Sequence, residues 1–311
     1  MNDRNKVKIA IIDDGILGDY LEKGIHIEKY ITLSCENFGS NDYVRVDDTI
    51  PFHSNVKLSH GTKVINTIFK YAADVLIEFY VYDIFANNQF SHGALLLEAI
   101  KMSIDENVDF IVSSLTCSIA YKDELIALSK LACDKKIIYL AAASNEGVDS
   151  YPACLPQVYG VKSGCINSLG SFNYKVDDIF QFKSNIGYEL ISSNNKFVFF
   201  NGTSKATAVV CGKLSSLFSK IGKEKLIMYL KNNHIQDIDV HNNLLLFSRV
   251  SGLDYEECLQ KIDVELPCCD VNAGVIVRFM NELGLGDLIP TMMQKDFFTI
   301  RALLNYCDKQ K

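Results

Sequence analysis

Alternation between strand-like and helix-like patterns is the sequence feature that most restricts the fold. Short apolar runs rich in β-branched residues, which are typical of buried strands, recur between segments with helical periodicity. The predicted strands are residues 7–12, 75–82, 110–112 and 137–143, and the predicted helices include residues 95–104 and 125–131. This alternation predicts an α/β fold of three layers, in which a parallel sheet carries helices on both faces. The active site of such a sheet lies at the carboxyl ends of its strands.

One stretch places a hydroxyl group at the start of a buried helix. The turn-forming pair Asn201-Gly202 precedes Ser204, and apolar residues then recur at helical spacing, namely Val209, Val210, Leu214, Leu217 and Phe218. Ser204 is therefore predicted in the first turn, where a main-chain N–H and the positive end of the helix dipole favour a developing negative charge. A serine at a helix start is most often only a cap. As a nucleophile it would need a base, an acid that orients the base, and an oxyanion donor.

Residues of these three types stand upstream in fitting local settings. Asp13 follows the first predicted strand, and Asn145 follows the strand at residues 137–143 in a turn that lets its amide point over the sheet edge. His60 introduces a helix with the buried residues Val64, Ile65, Ile68 and Phe69. Taken singly, each has an alternative interpretation. Asp13-Asp14 is also how the acidic metal pocket of a response-regulator receiver begins, and a lone histidine is commonly a core residue.

The order of these residues resembles that of the subtilisin-like serine peptidases, the subtilases. Asp13, His60, Asn145 and Ser204 stand within the motifs IIDDGI, HGTKV, AAASNEG and NGTSKATA, and the resemblance covers about residues 6–220. It implies a subtilisin-like fold, with Asp13 as the orienting acid, His60 as the general base, Asn145 as the side-chain oxyanion donor and Ser204 as the nucleophile.

The sequence departs from the subtilase pattern at several positions beside these motifs. Lys63 replaces the usual second histidine, Asn66 a small glycine, and Ala208-Val209 the usual Pro-His after the serine. Because none of these residues performs the chemistry, the departures concern the packing of the two catalytic helices and the shape of the site.

The resemblance also implies a set of substrate contacts. Ser114, Leu115 and Thr116 would pair with an extended peptide through their backbone, while Ala143 and Ser144 line the neighbouring pocket. Thr116 stands where glycine is usual, so its side chain is expected to narrow that pocket. Glu146 would favour a basic side chain near the rim, or it is simply a solvated turn residue.

Composition excludes several other classes of function. The net charge is −7 without any basic run, which gives nucleic-acid binding no support. No apolar run is long enough to span a bilayer, the first residues are too polar for a secretory signal, and the short segment before Asp13 leaves no room for an inhibitory prodomain. The ten cysteines are scattered, and Cys268-Cys269 lack a zinc-knuckle spacer. We therefore expect a cytoplasmic protein with reduced thiols, no metal and no cofactor.

A second domain is predicted from about residue 244, so that residues 1–243 form the peptidase domain and residues 244–311 a small helical one. Its apolar positions recur at helical spacing, as in Val275, Ile276, Phe279 and Leu283 and again in Phe297, Ile300, Leu303 and Leu304. The plan weakly resembles an acyl or peptidyl carrier. Where carriers present a modifiable serine, this chain has Asp270-Val271-Asn272. The segment is therefore predicted to be a docking or stabilising appendage, with a plain structural cap as the alternative.

Two classes of function stay open at this point. The first is an intracellular serine endopeptidase that cleaves one specific peptide, such as a ribosomally made precursor, with a transpeptidase or macrocyclase as a variant of the same acyl-enzyme chemistry. The second is a non-catalytic peptide-binding protein on the same fold. A probe that reacts with active-site serines separates them.

Overall fold

The computed structural model describes residues 6–35, 43–46, 59–72, 75–85, 93–146, 150–164, 172–185, 187–193, 196–232, 238–266 and 273–310. The chain divides into two compact units, Met1–His234 and Ile235–Lys311. Within the described residues, no helix is both long and apolar enough to cross a lipid bilayer.

A mostly parallel sheet forms the centre of the first unit. Its strands are β1 (Lys6–Asp13), β2 (His26–Cys35), β3 (Tyr43–Val46), β4 (Leu76–Asp83), β5 (Phe110–Ser113), β6 (Ile138–Ala142), β7 (Tyr159–Gly164), β8 (Phe172–Tyr174) and β9 (Phe182–Asn185). Their spatial order is β3-β2-β4-β1-β5-β6-β7-β9-β8. The six inner pairings are parallel, and only the edge strands β3 and β8 run antiparallel to their neighbours. A separate antiparallel hairpin consists of β10 (Glu189–Ser193) and β11 (Lys196–Phe200).

Helices cover both faces of this sheet. They are α1 (His60–Tyr71), α2 (Gly93–Asp105), α3 (Lys122–Asp134), α4 (Gly202–Ile221) and α5 (Lys223–Lys231). Ala10 and Ile111 share one core cluster with side chains of α2 and α3. The next residue along β5, Phe110, contacts Phe218 of α4 with ring centroids 5.8 Å apart. Because successive strand residues face opposite sides, α2 and α3 lie on one face and α4 on the other, which confirms the three-layer prediction.

The central position of β1 explains its composition. It lies between β4 and β5, and its residues Ile9, Ala10 and Ile12 have no exposed surface. A parallel strand buried on both faces needs a continuous apolar run rather than an alternating one. The run therefore ends where the strand reaches the sheet edge, and the first polar side chain there is Asp13.

The second unit is helical. It contains α6 (Ile238–Ser251), α7 (Tyr255–Gln260), α8 (Ala273–Glu282), α9 (Gln294–Phe297) and α10 (Ile300–Gln310), and a 3-10 turn at Gly286–Thr291. Its core includes Leu244, Phe247 and Phe279, and the rings of the two phenylalanines pack edge to face at 5.4 Å. The residues predicted to replace a carrier's serine, Asp270-Val271-Asn272, lie outside the described part of the chain, as do Cys268-Cys269.

The observed unit boundary differs from the one expected at residues 243 and 244. That position falls inside α6, whereas the structure divides the chain between His234 and Ile235. The reason is that α6 is one continuous helix that packs against α7, α8 and α10, so it belongs to the helical unit as a whole.

Candidate active site

Asp13 and His60 form a hydrogen-bonded pair at the carboxyl edge of the sheet. Asp13 is the last residue of β1, and His60 is the first residue of α1. Both carboxylate oxygens of Asp13 lie close to His60 Nδ1, at 2.8 and 2.9 Å. Because an ionised carboxylate can only accept hydrogen bonds, Nδ1 carries the proton and Nε2 keeps a free lone pair. The ring is thus held in the tautomer that a general base needs.

The environment of His60 strengthens its basicity. Burial of the ring lowers the pKa of His60, and the charge of Lys63 lowers it further. The charge of Asp13, its hydrogen bond to the ring and the charge of Asp14 together outweigh these effects, so the pKa of His60 is raised above its ordinary value. About a third of the histidine side chain remains exposed, against 6% of the Asp13 side chain. The histidine ring is therefore accessible to water, while the Asp13 carboxylate is shielded from it.

A close backbone approach fixes the start of α1 against the turn that follows β1. A Cβ atom on Gly61 would lie 2.2 Å from the carbonyl oxygen of Gly15, so only glycine fits there. Ser59 caps the helix by accepting a hydrogen bond from the Thr62 N–H, and its hydroxyl donates to the same Gly15 oxygen at 3.2 Å. Thr62 Oγ1 in turn accepts from the N–H of Leu17 at 2.9 Å. Gly61 and Thr62, which follow the histidine, are therefore needed to pack the start of α1 against the turn after β1.

Asp14 holds the main chain at the start of α1, a role that the sequence did not reveal. Its two carboxylate oxygens accept hydrogen bonds from the N–H groups of His60, at 2.9 Å, and Gly61, at 2.7 Å. Burial first, and then the charge of Asp13, raise the pKa of Asp14, while these two N–H groups oppose the rise. The adjacent aspartates thus both bind His60, Asp13 through a hydrogen bond from the histidine ring and Asp14 through a hydrogen bond from the histidine main-chain N–H.

Ser204 and Asn145 meet at the start of α4. Ser204 is the third residue of this helix, as predicted, and is half-buried. Asn145 Oδ1 accepts hydrogen bonds from both the N–H and the hydroxyl of Thr203, at 3.1 and 3.2 Å. A main-chain N–H can only donate, so the amide atom that faces it is the oxygen. Nδ2 is consequently the free donor, beside the turn that delivers Ser204.

Two contacts connect the Asp13–His60 pair to the segment that holds Ser204 and Asn145. The ring of Phe200, four residues before Ser204, packs edge-on against the ring of His60 with centroids 5.4 Å apart. Helices α1 and α4 also approach closely, since a Cβ on Gly212 would lie 2.6 Å from the carbonyl oxygen of Ile68. The structure therefore brings all four candidate residues to one edge of the sheet.

Three of the departures from the subtilase pattern, Asn66, Ala208 and Val209, are accommodated by packing. Asn66 is buried, donates a hydrogen bond to the Tyr20 carbonyl at 2.9 Å, and accepts one from the Glu22 N–H at 3.2 Å. It thereby ties α1 to the segment after β1. Ala208 and Val209 are fully buried on α4. These three residues build the interior around α1 and α4 rather than the site itself.

The candidate substrate-contact residues follow β5 and β6, which are adjacent parallel strands. Ser114 and Leu115 are half-buried and Thr116 is exposed. After β6, Ala143 is buried, Ser144 donates its N–H to Ser150 Oγ at 2.9 Å, and Glu146 is exposed. Both segments leave the sheet at the edge that holds Asp13. They therefore lie at the same edge of the sheet as the Asp13–His60 pair.

One group of side chains among the described residues has the spacing of a metal site. His26, Glu28 and Glu78 place one ligand atom each within 4.8 Å of one another. They stand at the beginning of β2 and β4, which is the edge opposite Asp13, and the ammonium of Lys6 contacts Glu78 at 2.7 Å. This group is therefore too far from Asp13 and His60 to take part in their chemistry, because it lies at the opposite edge of the sheet.

A serine at a helix start, an amide donor beside it and a carboxylate–histidine pair on the same edge of a parallel α/β sheet are the features of a serine hydrolase. The chain belongs to the Subtilase family, whose model matches residues 4–256. It is therefore a serine peptidase, and the alternative of a response-regulator receiver is wrong. No curated protein matches the chain in sequence.

Solved structures share the fold at low sequence identity. The epidermin leader peptide processing serine protease from Staphylococcus aureus is 19% identical with a TM-score of 0.55, over 73% of this chain and 70% of that one. The nisin leader peptidase from Lactococcus lactis is 16% identical with a TM-score of 0.50, over 73% and 82%. A psychrophilic protease is 16% identical with a TM-score of 0.51, over 71% and 80%.

Proposed function

We propose that this serine peptidase is an endopeptidase that cleaves a specific precursor peptide through an acyl-enzyme on Ser204. His60 is the general base, Asp13 orients it, and Asn145 is the side-chain oxyanion donor. The observation that carries this assignment is the contact of both Asp13 carboxylate oxygens with His60 Nδ1. It leaves Nε2 as the only ring atom that can accept a proton, and the ring packs against the residue that leads into the Ser204 turn.

The first half of the reaction forms the acyl-enzyme. Ser204 Oγ attacks the carbonyl carbon of the scissile bond as its proton passes to His60 Nε2. The negative charge that develops on the carbonyl oxygen is held by Asn145 Nδ2 and the main-chain N–H of Ser204, at the positive end of the α4 dipole. Asp13 stabilises the imidazolium, which then donates its proton to the leaving amine. In the second half, His60 activates a water molecule that releases the acid.

The substrate class is proposed from the binding edge and from the similar structures. Ser114 to Thr116 continue beyond β5 at the sheet edge, where an extended peptide can add its backbone hydrogen bonds. The proteins of known structure that share the fold include peptidases for the leaders of epidermin and nisin. A precursor peptide with a removable leader is accordingly the substrate we propose.

We also propose that the protein acts in the cytoplasm. The support is chemical, because the structure places no disulfide on the cysteines whose side chains it describes, namely Cys117, Cys133, Cys154, Cys211, Cys258 and Cys307. Reduced thiols in this number suit a reducing compartment.

Labelling with a fluorophosphonate tests the chemistry. The reagent should modify the wild-type protein at Ser204, located by peptide mass spectrometry, and Ser204→Ala and His60→Ala should abolish the reaction. Ser219→Ala is a matched control, because Ser219 lies in the last turn of the same helix and should not affect labelling. Labelling that persists in Ser204→Ala contradicts the assignment. With a candidate precursor, hydrolysis gives two linear peptides. A transpeptidase instead joins the acyl fragment to an amine, and the mass of this product is that of the free acid plus the amine less one water.

A further inference from the structure

Lys205, the residue after the proposed nucleophile, is buried although its side chain is charged. Only 1% of its surface is exposed. Its ammonium donates hydrogen bonds to two main-chain carbonyl oxygens, of Asn185 at 2.5 Å and of Gly187 at 2.9 Å. A buried ammonium is costly unless its donors are satisfied. The side chain is thus held in one place by the backbone before β10.

These two bonds close the base of the β10–β11 hairpin. Asn185 ends β9 just before the hairpin, and Lys205 lies in the first turn of α4 just after it. The lysine therefore joins the segment that enters the hairpin to the helix that leaves it, across 20 and 18 residues of chain. A single side chain fixes the distance between the two ends of the hairpin.

The side of the hairpin is fixed to α1. Glu189, the first residue of β10, is 4% exposed and accepts hydrogen bonds from the Lys70 ammonium and from the Tyr71 hydroxyl, the latter at 2.7 Å. Its cross-strand partner is Phe200. Since directly paired residues point to the same face of a sheet, Glu189 and Phe200 both lie on the inner face.

Phe200 links the hairpin to the catalytic residues. It is buried, and its ring packs edge-on against His60. It is also the last residue of β11, directly before the turn that delivers Ser204. A shift at the foot of the hairpin would therefore move the His60 ring and, at the same time, the turn that leads into α4 and Ser204.

We propose that Lys205 is a positioning residue, which clamps the base of the β10–β11 hairpin to α4 and thereby aligns His60, through Phe200, with Ser204. This inference rests on the proposed function and adds a residue to it. In this role Lys205 contacts the backbone of the hairpin base rather than the substrate. It acts by holding the geometry that proton transfer requires.

The test replaces the ammonium by an apolar group of similar length. In Lys205→Met, kcat for a small ester should fall about 10- to 100-fold, since a small misalignment of reacting groups costs about this much. KM should change little, because ground-state binding is not altered. The rate of fluorophosphonate labelling at Ser204 should fall in parallel. Lys220→Met, at an exposed lysine in the last turn of the same helix, is the control and should match the wild type.

Two further variants separate positioning from loss of stability. Lys205→Gln keeps N–H donors for the two carbonyl groups, so it should recover part of the lost kcat. The double variant Lys205→Met with Phe200→Leu should lose less than the sum of the two single effects, because both changes interrupt one chain of contacts. Additive effects, or a fall in Tm with unchanged kcat in the folded fraction, overturn the positioning role.

The outcomes for the inference and for the proposed function are distinct. A wild-type protein that is not labelled at Ser204 refutes the proposed function. A wild-type protein that is labelled, with Lys205→Met labelled equally fast, refutes only the role of Lys205. Slower labelling of Lys205→Met, with partial recovery in Lys205→Gln, supports it.

Discussion

Replacing Asn145 tests the half of the site that should act only in the transition state. In the structure its Oδ1 is fixed by two hydrogen bonds from Thr203, which leaves Nδ2 to meet the oxyanion. Asn145→Ala removes this donor and leaves Asp13, His60 and Ser204 in place. We therefore expect kcat to fall while KM stays nearly constant.

The magnitude follows from the two roles of the side chain. Loss of one oxyanion donor costs about 2.7–4 kcal/mol in subtilisin, and that value, carried over, corresponds to about 100- to 1,000-fold in kcat. The effect on folding should be much smaller, because Asn145 is exposed and water can replace it at the Thr203 groups. Two such hydrogen bonds contribute roughly 1 kcal/mol net, or a Tm change of about 2–4 °C.

Two related variants make this prediction sharper. Asn145→Asp keeps the oxygen that accepts from Thr203 but replaces the donor by a second acceptor with a negative charge. It should therefore be less active than Asn145→Ala, because like charges would face each other in the transition state. Thr203→Val removes only the hydroxyl that orients the amide, and should reduce kcat by about tenfold or less.

The assay measures kcat and KM with a chromogenic peptide ester, alongside thermal melting of each variant. An Asn145→Ala enzyme with the wild-type kcat, or an Asn145→Asp enzyme more active than Asn145→Ala, would contradict the role of Asn145 as an oxyanion donor. Either result would place the oxyanion donors elsewhere.

The base and its supports give two further predictions. Asp14→Ala removes the acceptor for the N–H groups of His60 and Gly61, so it should cost about 0.5–2 kcal/mol of stability in a melt, and kcat should fall as well; Asp19→Ala, at an exposed acid, is the control. Because catalysis needs neutral His60, kcat/KM should rise with increasing pH, with a midpoint above about pH 6.5. Lys63→Met should move that midpoint to a higher pH, because it removes a charge that lowers the pKa of His60. The same raised pKa stabilises the fold fully below about pH 6.5, and this contribution is lost as the pH rises through the folded-state value.

Local sequence patterns were sufficient to locate the core strands and to place the candidate residues at one edge of the sheet. The predicted strand at residues 137–143 matches β6 because a strand buried on both faces must be a continuous apolar run. The candidate residues were found because each follows or begins such an element, at the edge where the topology of a parallel sheet gathers them.

Peripheral strands could not be predicted in this way. β2 contains His26, Glu28 and Lys29, and no strand was assigned between residues 144 and 200, where the structure has β7 to β11. Strands near a sheet edge and in a hairpin are only partly buried, so their apolar pattern is weak and their pairing depends on distant residues.

The supporting contacts were equally beyond local pattern. Asp14 and Lys205 stand inside recognised motifs, but their partners lie 46 or 47 and 18 or 20 residues away. Two acids in succession after a strand, and a lysine within an apolar helix start, are nevertheless signals that such a residue needs a buried partner.

The helical unit provides the last prediction, that residues 235–311 position a protein substrate and take no part in catalysis. All four catalytic candidates precede this unit, and the chain should be cut at His234, because a cut at Asn243 would divide α6. The shortened protein should hydrolyse a small ester at the full rate but cleave its precursor with a lower kcat/KM, since remote contacts with a substrate assist catalysis without touching the scissile bond. Thermal melting must show that the first unit remains folded. Full-rate cleavage of the precursor by a normally melting fragment contradicts the docking role, and a phosphopantetheine mass on the intact chain contradicts a degenerate carrier.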